Sequence, residues 1–261
     1  MEWARVTGHR VFRPRVIPVL LLRDGALCKP VRFGRATYVG DPRVAVKILS
    51  DKGADEVVLL DASATARGGP DFVLIEEIAG ESFVPMAYGG GIRNPETAAR
   101  VLGLGVEKVV IGSAALEDVS VITQIAAAAG SQAVAVCLDV KRGMFGGYST
   151  YLDGGRRKAG GDPKALAEQL QRAGAGEIVL QSIDREGTRQ GYDTALIGAV
   201  ARAVDVPVVA LGGAGTLSHL REAIDAGASA AAGGSLFVLN GPHRAVLITY
   251  PTHRQLDDLF S

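Results

Sequence analysis

The sequence contains little cysteine, and its two cysteines do not form a disulfide framework. Cys28 and Cys137 lie far apart in a chain of 261 residues, and Cys137 is part of an apolar segment, where a small buried thiol is the usual role. We expect both thiols to be reduced, in a cytoplasmic protein. The four histidines are scattered without ligand spacing, so we expect no metal site and no cofactor.

The chain also lacks net charge and long apolar runs. Its 28 basic residues balance 28 acidic residues, which gives no electrostatic reason to expect nucleic acid or a membrane surface as a partner. No run approaches the length of a membrane span, and residues 1–14 lack the apolar core of a signal peptide. The partners are therefore expected among small molecules and proteins.

Apolar strands alternate with helices along the chain, and the second half repeats the plan of the first. EVVL at 56–59 returns as EIVL at 177–180, and the helix opened by Asp41-Pro42 has a counterpart opened by Asp162-Pro163. In both openings the aspartate is placed as N-cap and the proline as first helical residue. Buried strands alternating with helices predict an α/β protein, a (βα)8 TIM barrel with an internal half-barrel duplication.

We expect one domain over residues 1–261, with half-barrels at roughly 15–130 and 131–240 and a short tail at 241–261. The alternative is an open doubly wound sheet. Such a sheet would favour a GxGxxG motif after its first strand, whereas this strand ends in Arg23-Asp24-Gly25. The glycine clusters fall after the third and seventh strands instead.

These glycines are predicted to lie at the mouth of the barrel, where the C-terminal ends of the strands meet. Bare backbone lets an anion approach closely, so two clusters related by the repeat predict a ligand with a phosphate at each end. Tight turns without a ligand are the alternative. The first cluster comprises Gly89, Gly90, Gly91, Gly112 and Ser113, and the second comprises Gly212, Gly213, Gly234 and Ser235, joined by Gly187 and Thr188.

One carboxylate, Asp139, interrupts the apolar strand VCLDV near its C-terminal end. A buried carboxylate is costly unless it is paired or used, so Asp139 is a candidate catalytic residue. Aligning the two segments that end in a basic residue and a glycine places Leu21 of the first strand opposite Asp139.

Four charges stand at the other ends of the strands. Arg15, Glu56, Lys108 and Glu177 begin the first, second, fourth and sixth strands with alternating sign. They could close a ring of ion pairs at the bottom of the barrel, although charges at strand starts are commonly solvated and contribute little.

Several segments resemble the cyclase subunit of imidazole glycerol phosphate synthase, an enzyme of histidine biosynthesis. The resemblance covers about residues 15 to 237 and implies a (βα)8 barrel with a glutaminase partner at its N-terminal rim. Ammonia would pass through the barrel to two strand-end aspartates that act on a bisphosphate. The segments are GGGIRNPETA at 89–98, SQAVAVCLDVKR at 131–142, GAGEIVLQSIDREGTRQGYD at 174–193 and VPVVALGGAG at 206–215.

By this resemblance Asp139 matches the strand-five catalytic aspartate and Lys29 matches the active-site lysine of a loop. The four strand-start charges match the gate of the ammonia channel, and the two glycine clusters match the phosphate sites. The strand-one aspartate, however, falls on Leu21, which cannot transfer a proton. The other departures are Gly112 for an asparagine, Glu186 for an aspartate, and Ala87 and Leu211 for a threonine and a serine near the channel exit.

Three further segments resemble a side branch of the family, the WbuZ-like paralogues associated with glycosyl amidation. They are IPVLLLRDG at 17–25, VRFGRATYVGDP at 31–42 and GSLFVLNGPHRAVLITYP at 234–251. This resemblance implies that the barrel receives ammonia from a glutaminase for a separate sugar amidotransferase, which makes an acetamidino sugar for surface polysaccharide. Two alternatives stay open: a true cyclase in which Asp24 or Asp61 supplies the missing acid, and a non-catalytic module that activates the glutaminase and holds a phosphorylated ligand.

Overall fold

The computed structural model describes residues 13–144 and 146–261, so the first twelve residues of the predicted domain lie outside it. In chain order the strands are β1 (Arg15–Arg23), β2 (Ala26–Pro30), β3 (Ala36–Gly40), β4 (Val57–Asp61), β5 (Met86–Gly89), β6 (Lys108–Ile111), β7 (Val134–Arg142), β8 (Tyr148–Leu152), β9 (Arg157–Gly160), β10 (Glu177–Ser182), β11 (Val208–Leu211), β12 (Ala230–Gly233), β13 (Leu239–Asn240) and β14 (Ala245–Val246). The helices are α1 (Pro42–Asp51), α2 (Ala64–Arg67), α3 (Phe72–Gly80), α4 (Pro95–Leu102), α5 (Ser113–Glu117), α6 (Ser120–Ala129), α7 (Pro163–Arg172), α8 (Thr194–Ala201), α9 (Leu217–Asp225), α10 (Ser235–Val238) and α11 (His253–Phe260), with a 3₁₀ turn at Ser131–Ala133.

Eight parallel strands close into a barrel. Their order is β1, β4, β5, β6, β7, β10, β11 and β12, and β12 pairs with β1 to complete the circle. The prediction of a (βα)8 TIM barrel is confirmed. The open doubly wound sheet is wrong, because an open sheet has two unpaired edges and this one has none among its eight parallel strands.

The pleat of the strands sorts the side chains into two cores. Alternate residues of each strand face the barrel axis, and the residues between them pack against the surrounding helices. The axial residues are mostly small or β-branched: Ile17, Val19, Val58, Ala87, Val110, Ala135, Val179, Val209, Leu211, Ala230 and Ala232. The small side chains of the axial alanines leave free space along the barrel axis.

The helix starts follow the capping pattern read from the sequence. The Asp41 side chain accepts from the Arg43 N–H at 2.8 Å, and the Asp162 side chain accepts from the Lys164 N–H at 3.3 Å. In each case the following proline occupies the start of the helix, where no N–H is needed. The repeated Asp-Pro pairs therefore fix equivalent strand-to-helix turns in the two halves of the barrel.

Two hairpins extend the barrel at its mouth, and the first of them differs from the sequence prediction. The sequence of residues 24–40 predicts a long loop, but the structure forms the antiparallel hairpin β2–β3 there, which pairs with the end of β1 through Leu21 and Cys28. Strands β8 and β9 form a second hairpin on the end of β7. Each hairpin continues a barrel strand beyond the barrel, so both lean over the C-terminal mouth.

The sequence predicts one helix over residues 117–129, but the structure ends α5 at Glu117 and begins α6 at Ser120. The break comes at Asp118, whose side chain accepts from the Ser120 N–H at 2.9 Å and so begins a new helix. None of the helices within residues 13–144 and 146–261 is long and apolar enough to cross a membrane.

Candidate active site and axial channel

Four charged side chains form a closed ring at the N-terminal end of the barrel. The Arg15 guanidinium donates to Glu56 and to Glu177, and Lys108 Nζ donates to Glu56 at 2.8 Å and to Glu177 at 3.0 Å. Each carboxylate thus accepts from both cations, which offsets the cost of desolvating two nearly buried acids. Burial alone would lower the pKa of Arg15, but Glu177 and Glu56 raise it above its ordinary value.

A small cavity lies on the barrel axis directly above this ring. Its volume is about 10 Å³, roughly the space that one water-sized molecule requires. The floor includes the carboxylates of Glu56 and Glu177, and the walls are apolar. Those walls are Ile17, Val19, Val58, Ala87, Val110, Ala135, Val179, Val209 and Ala232. A small neutral molecule can rest there, whereas an ion would lose its hydration without compensation.

A buried ionic cluster occupies one side of the mouth. Lys29 of β2 pairs with Glu186 of the loop after β10, and Gln181 Nε2 donates to the other oxygen of that carboxylate at 3.2 Å. All three side chains are buried. The structure thereby commits Lys29, the loop lysine of the sequence prediction, to an internal partner.

Asp139 faces the mouth from the end of β7, two residues beyond the axial Cys137. The Cys137 thiol donates to Asp139 Oδ1 across 3.8 Å. Desolvation raises the pKa of Asp139 to about 7; the thiol contact opposes this rise and the charge of Glu186 adds to it. Asp139 therefore changes protonation near neutral pH, as a general acid or base must.

No second carboxylate completes an acid–base pair with Asp139 from β1. By the alternation of β1, Leu21 lies on the axial face with Ile17 and Val19. The mouth thus carries an apolar side chain at this position.

The two acids suggested as substitutes point elsewhere. Asp61 follows the axial Leu60 and therefore faces the helices, where it binds Arg67 at 2.5 Å and accepts from the Ser63 N–H at 2.9 Å. Asp24 is exposed in the turn after β1 and accepts from the Ser63 hydroxyl at 2.9 Å. Neither carboxylate is placed to replace the missing one.

The first glycine cluster lies at the ends of β5 and β6. A Cβ on Gly90 would come within 3.0 Å of the Asp61 side chain, whereas one on Gly112 would meet no atom within 4 Å. The Ser113 hydroxyl oxygen accepts from the Asp153 N–H at 2.9 Å, so the turn after β8 lies directly against it. Gly89 and Gly91 complete the cluster beside them.

The second cluster lies at the ends of β11 and β12. Gly213 has a left-handed φ of 113°, and a Cβ there would collide with the Gly191 carbonyl. A Cβ on Gly234 would collide with Lys29 Nζ, so that ammonium group lies against the β12 end. The Ser235 hydroxyl is buried and bonds none of the residues that the structure describes.

Two further residues of this cluster, Gly187 and Thr188, come from the loop after β10. Gly187 packs against the backbone of β2–β3, since a Cβ would lie 2.9 Å from Val31 Cα. The Thr188 hydroxyl donates to the Arg185 carbonyl at 2.7 Å. Gly212 stands beside them at the end of β11.

The chain matches the family model described as "Histidine biosynthesis protein" over residues 15–241. This chain belongs to that family. A Pseudomonas aeruginosa relative with the provisional name "imidazole glycerol phosphate synthase subunit hisF2" is 47% identical over 94% of this chain and 98% of its own length. The Alkaliphilus metalliredigens protein named "Imidazole glycerol phosphate synthase subunit HisF" is 40% identical over 87% of this chain and 90% of its own length.

A third relative, from Leptospira borgpetersenii, also has a provisional imidazole glycerol phosphate synthase subunit name and is 42% identical over 96% of this chain.

For this member of the histidine biosynthesis protein family, sequence reasoning missed three features of the mouth. They are Gln181, the contact of Glu186 with Lys29, and the turn at Asp153. Gln181 and Glu186 stand out in the sequence as polar residues of the segment QSIDREG, but the sequence does not indicate which residues they contact. Within the described residues, no group of three or more His, Cys, Asp or Glu side chains is arranged to hold a metal ion.

Proposed function

We propose that this barrel is the ammonia-receiving synthase subunit of a glutamine amidotransferase and that it serves acetamidino-sugar formation in surface polysaccharide biosynthesis. The observation that carries the proposal is the contrast between the two ends of one axis. The ring of four charges and the apolar cavity above it are intact, whereas Leu21 occupies the position of a catalytic acid.

In this proposal the glutaminase docks at the N-terminal rim and releases ammonia onto the ring. Neutral ammonia crosses the apolar cavity, whose size suits one such molecule. It emerges beside Cys137 and Asp139, where a carboxyl group with a pKa of about 7 can receive or return a proton. A sugar amidotransferase then uses the ammonia, and a phosphorylated ligand is held at the mouth.

The experiment that tests the role in transfer uses the barrel reconstituted with its glutaminase and glutamine labelled with ¹⁵N in the side-chain amide. Glu177→Lys places a third cation in the ring and should abolish activation of the glutaminase and transfer of label. The exposed Glu168→Lys on α7 changes charge equally and should leave both intact. Equal behaviour of the two variants would overturn the proposal.

Imidazole glycerol phosphate synthase activity is the second candidate, and the name of the Alkaliphilus relative favours it. Purified protein supplied with ammonium salts should not convert the bisphosphate substrate of histidine biosynthesis, because only one member of the acid–base pair is present. Turnover at an ordinary enzyme rate, on the order of 1 s⁻¹ or more, would favour this candidate instead.

Leu21→Asp tests how much of the cyclase site remains, with Leu21→Asn as a control of similar size that cannot act as a base. We expect no cyclase activity in either variant, because Gly112 and Glu186 also differ from the cyclase pattern. Activity that appears with Leu21→Asp alone would contradict this expectation.

A non-catalytic activating module is the third candidate. It requires the rim but not Asp139. Asp139→Asn should therefore leave nitrogen transfer intact under that candidate, and should reduce it at least about tenfold if Asp139 handles the proton of ammonia.

A further inference from the structure

The two glycine clusters at the mouth differ in what already contacts their serine hydroxyls. At the β5–β6 end, Ser113 Oγ accepts from the Asp153 N–H at 2.9 Å. Asp153 belongs to the turn between β8 and β9 and has a left-handed φ of 55°, which aspartate adopts in turns more readily than most non-glycine residues. The hairpin tip therefore stands on the first cluster.

The same tip is also held from the opposite side. A Cβ on Gly155 would lie 2.9 Å from the Phe33 ring and 3.4 Å from Ile183. Phe33 is at the tip of β2–β3, and Ile183 follows β10. The β8–β9 turn therefore contacts Ser113 after β6 on one side and Phe33 and Ile183 on the other.

Charge at the first cluster is already balanced. Arg157 binds both Glu117 and Asp153, the latter at 2.8 Å, and Arg93 lies 3.6 Å from Glu117. Two arginines face two carboxylates at this end. The Asp153 carboxylate would in addition repel a doubly charged group. Gly112 offers only backbone where a side-chain amide would be a donor.

The second cluster differs first in its serine. The Ser235 hydroxyl is 3% exposed and has no hydrogen-bond partner among the described residues. A buried polar group without a partner is unusual and points to a ligand. Lys29 Nζ lies against the Gly234 backbone beside it. Glu186 holds that ammonium group in place, and a phosphate can share it.

From these contacts we propose that the mouth takes a ligand with one phosphate group, bound at the β11–β12 end, and that the β8–β9 hairpin closes the other end. The inference rests on the proposed function, which places a phosphorylated ligand at the mouth. It names the class: a phosphate monoester, such as a sugar monophosphate, and not a bisphosphate that reaches both clusters.

Inorganic phosphate is the first probe, titrated into the full chain by calorimetry. We expect one phosphate per chain. Ser235→Ala should weaken its binding at least about tenfold and the matched Ser113→Ala less than about twofold. Both changes remove one hydroxyl and keep the side-chain volume close, and thermal unfolding of each variant checks that the fold persists. Two bound phosphates, an effect of Ser113→Ala as large as that of Ser235→Ala, or no binding would each overturn the proposal.

Fructose 6-phosphate and fructose 1,6-bisphosphate form the second comparison. With one open end, their dissociation constants should agree within about threefold. A mouth with two open ends would bind the bisphosphate at least about tenfold tighter, because the second phosphate is tethered to the first. Failure here is separable from failure of the proposed function. The outcome of the phosphate titrations does not depend on whether Glu177→Lys abolishes nitrogen transfer. The outcome of the transfer assay does not depend on how many phosphates bind.

Discussion

At the scale of single residues, Asp139 is the group whose state depends most directly on pH. Its pKa in the folded chain is about 7, against an ordinary value of 3.8. In the unfolded chain the carboxyl ionises near its ordinary value, so between about pH 4 and pH 7 only the folded protein holds the proton. Over that window rising pH removes stability, and above it the loss is complete and constant.

Asp139→Asn removes this dependence. Relative to the unchanged protein, the variant should gain about 1–3 kcal/mol in free energy of unfolding between pH 4.5 and pH 8. Urea unfolding at the two pH values measures the gain. Glu168→Gln on the exposed face of α7 should give no such difference. If the Asp139→Asn curve runs parallel to that of the unchanged protein, the carboxyl does not titrate near pH 7.

Leu21 stands where the resemblance to the cyclase subunit implies a catalytic aspartate, but its side chain is apolar. It lies on the axial face, yet it can neither donate nor accept a proton. Glu186 is the other carboxylate near Asp139, and its oxygens are bound to Lys29 and Gln181. Of these two neighbouring carboxyl groups, Asp139 has a raised pKa and Glu186 is held in an ion pair.

At the scale of elements, the Lys29–Glu186 pair ties the β2–β3 hairpin to the loop after β10. A second tie is the Arg32 N–H, which donates to the Glu186 carbonyl at 2.9 Å. Removal of one ion-pair partner leaves a buried charge. We expect Lys29→Met to cost about 3 kcal/mol and the double variant Lys29→Met/Glu186→Leu to cost markedly less.

A double-mutant cycle measured by urea unfolding tests this coupling. Hydrogen exchange of the β2–β3 amides should rise in Lys29→Met and fall again in the double variant. The exposed Lys47→Met, which breaks a surface pair with Asp51 at 3.4 Å, should change stability by less than about 0.5 kcal/mol. Additive single effects would show that the pair does not hold the hairpin.

The barrel and the hairpin after β7 could be predicted from the sequence, whereas the β2–β3 hairpin could not. Apolar strands that alternate with capped helices leave few folds to choose from. The β2–β3 turn uses Arg32 and Phe33 at φ values of 48° and 60°, where turns of this type favour asparagine or glycine. The chain there therefore read as a loop.

The candidate site also has a part that could be predicted from the sequence and a part that could not. The ring residues begin their strands, so their common location followed from the strand order. The contact of Lys29 with Glu186 joins residues 157 positions apart. That contact could not be predicted without coordinates. The alternation of Leu60 and Asp61 did contain the direction of Asp61, because neighbouring residues of a strand face opposite sides.

At the scale of the whole molecule, the ring, the cavity and the mouth lie on one axis with charge only at its ends. The apolar middle favours a neutral passenger over an ion, and its width depends on alanines. Adjacent alanines of β12 provide a matched pair for testing this axis. Ala232 lines the cavity, whereas Ala231 faces the helices, and both are fully buried.

Ala232→Val should fill a cavity of about 10 Å³ and reduce transfer of glutamine nitrogen at least about fivefold. Ala231→Val adds the same two methyl groups to the outer core and should leave transfer unchanged. Both should cost about 1–3 kcal/mol in stability, because two added methyl groups exceed the small axial cavity at Ala232 and overpack the outer core at Ala231. Ammonium salts supplied to the mouth should restore the Ala232→Val reaction, since only the route is closed. If both variants transfer nitrogen equally well, ammonia does not travel along the axis.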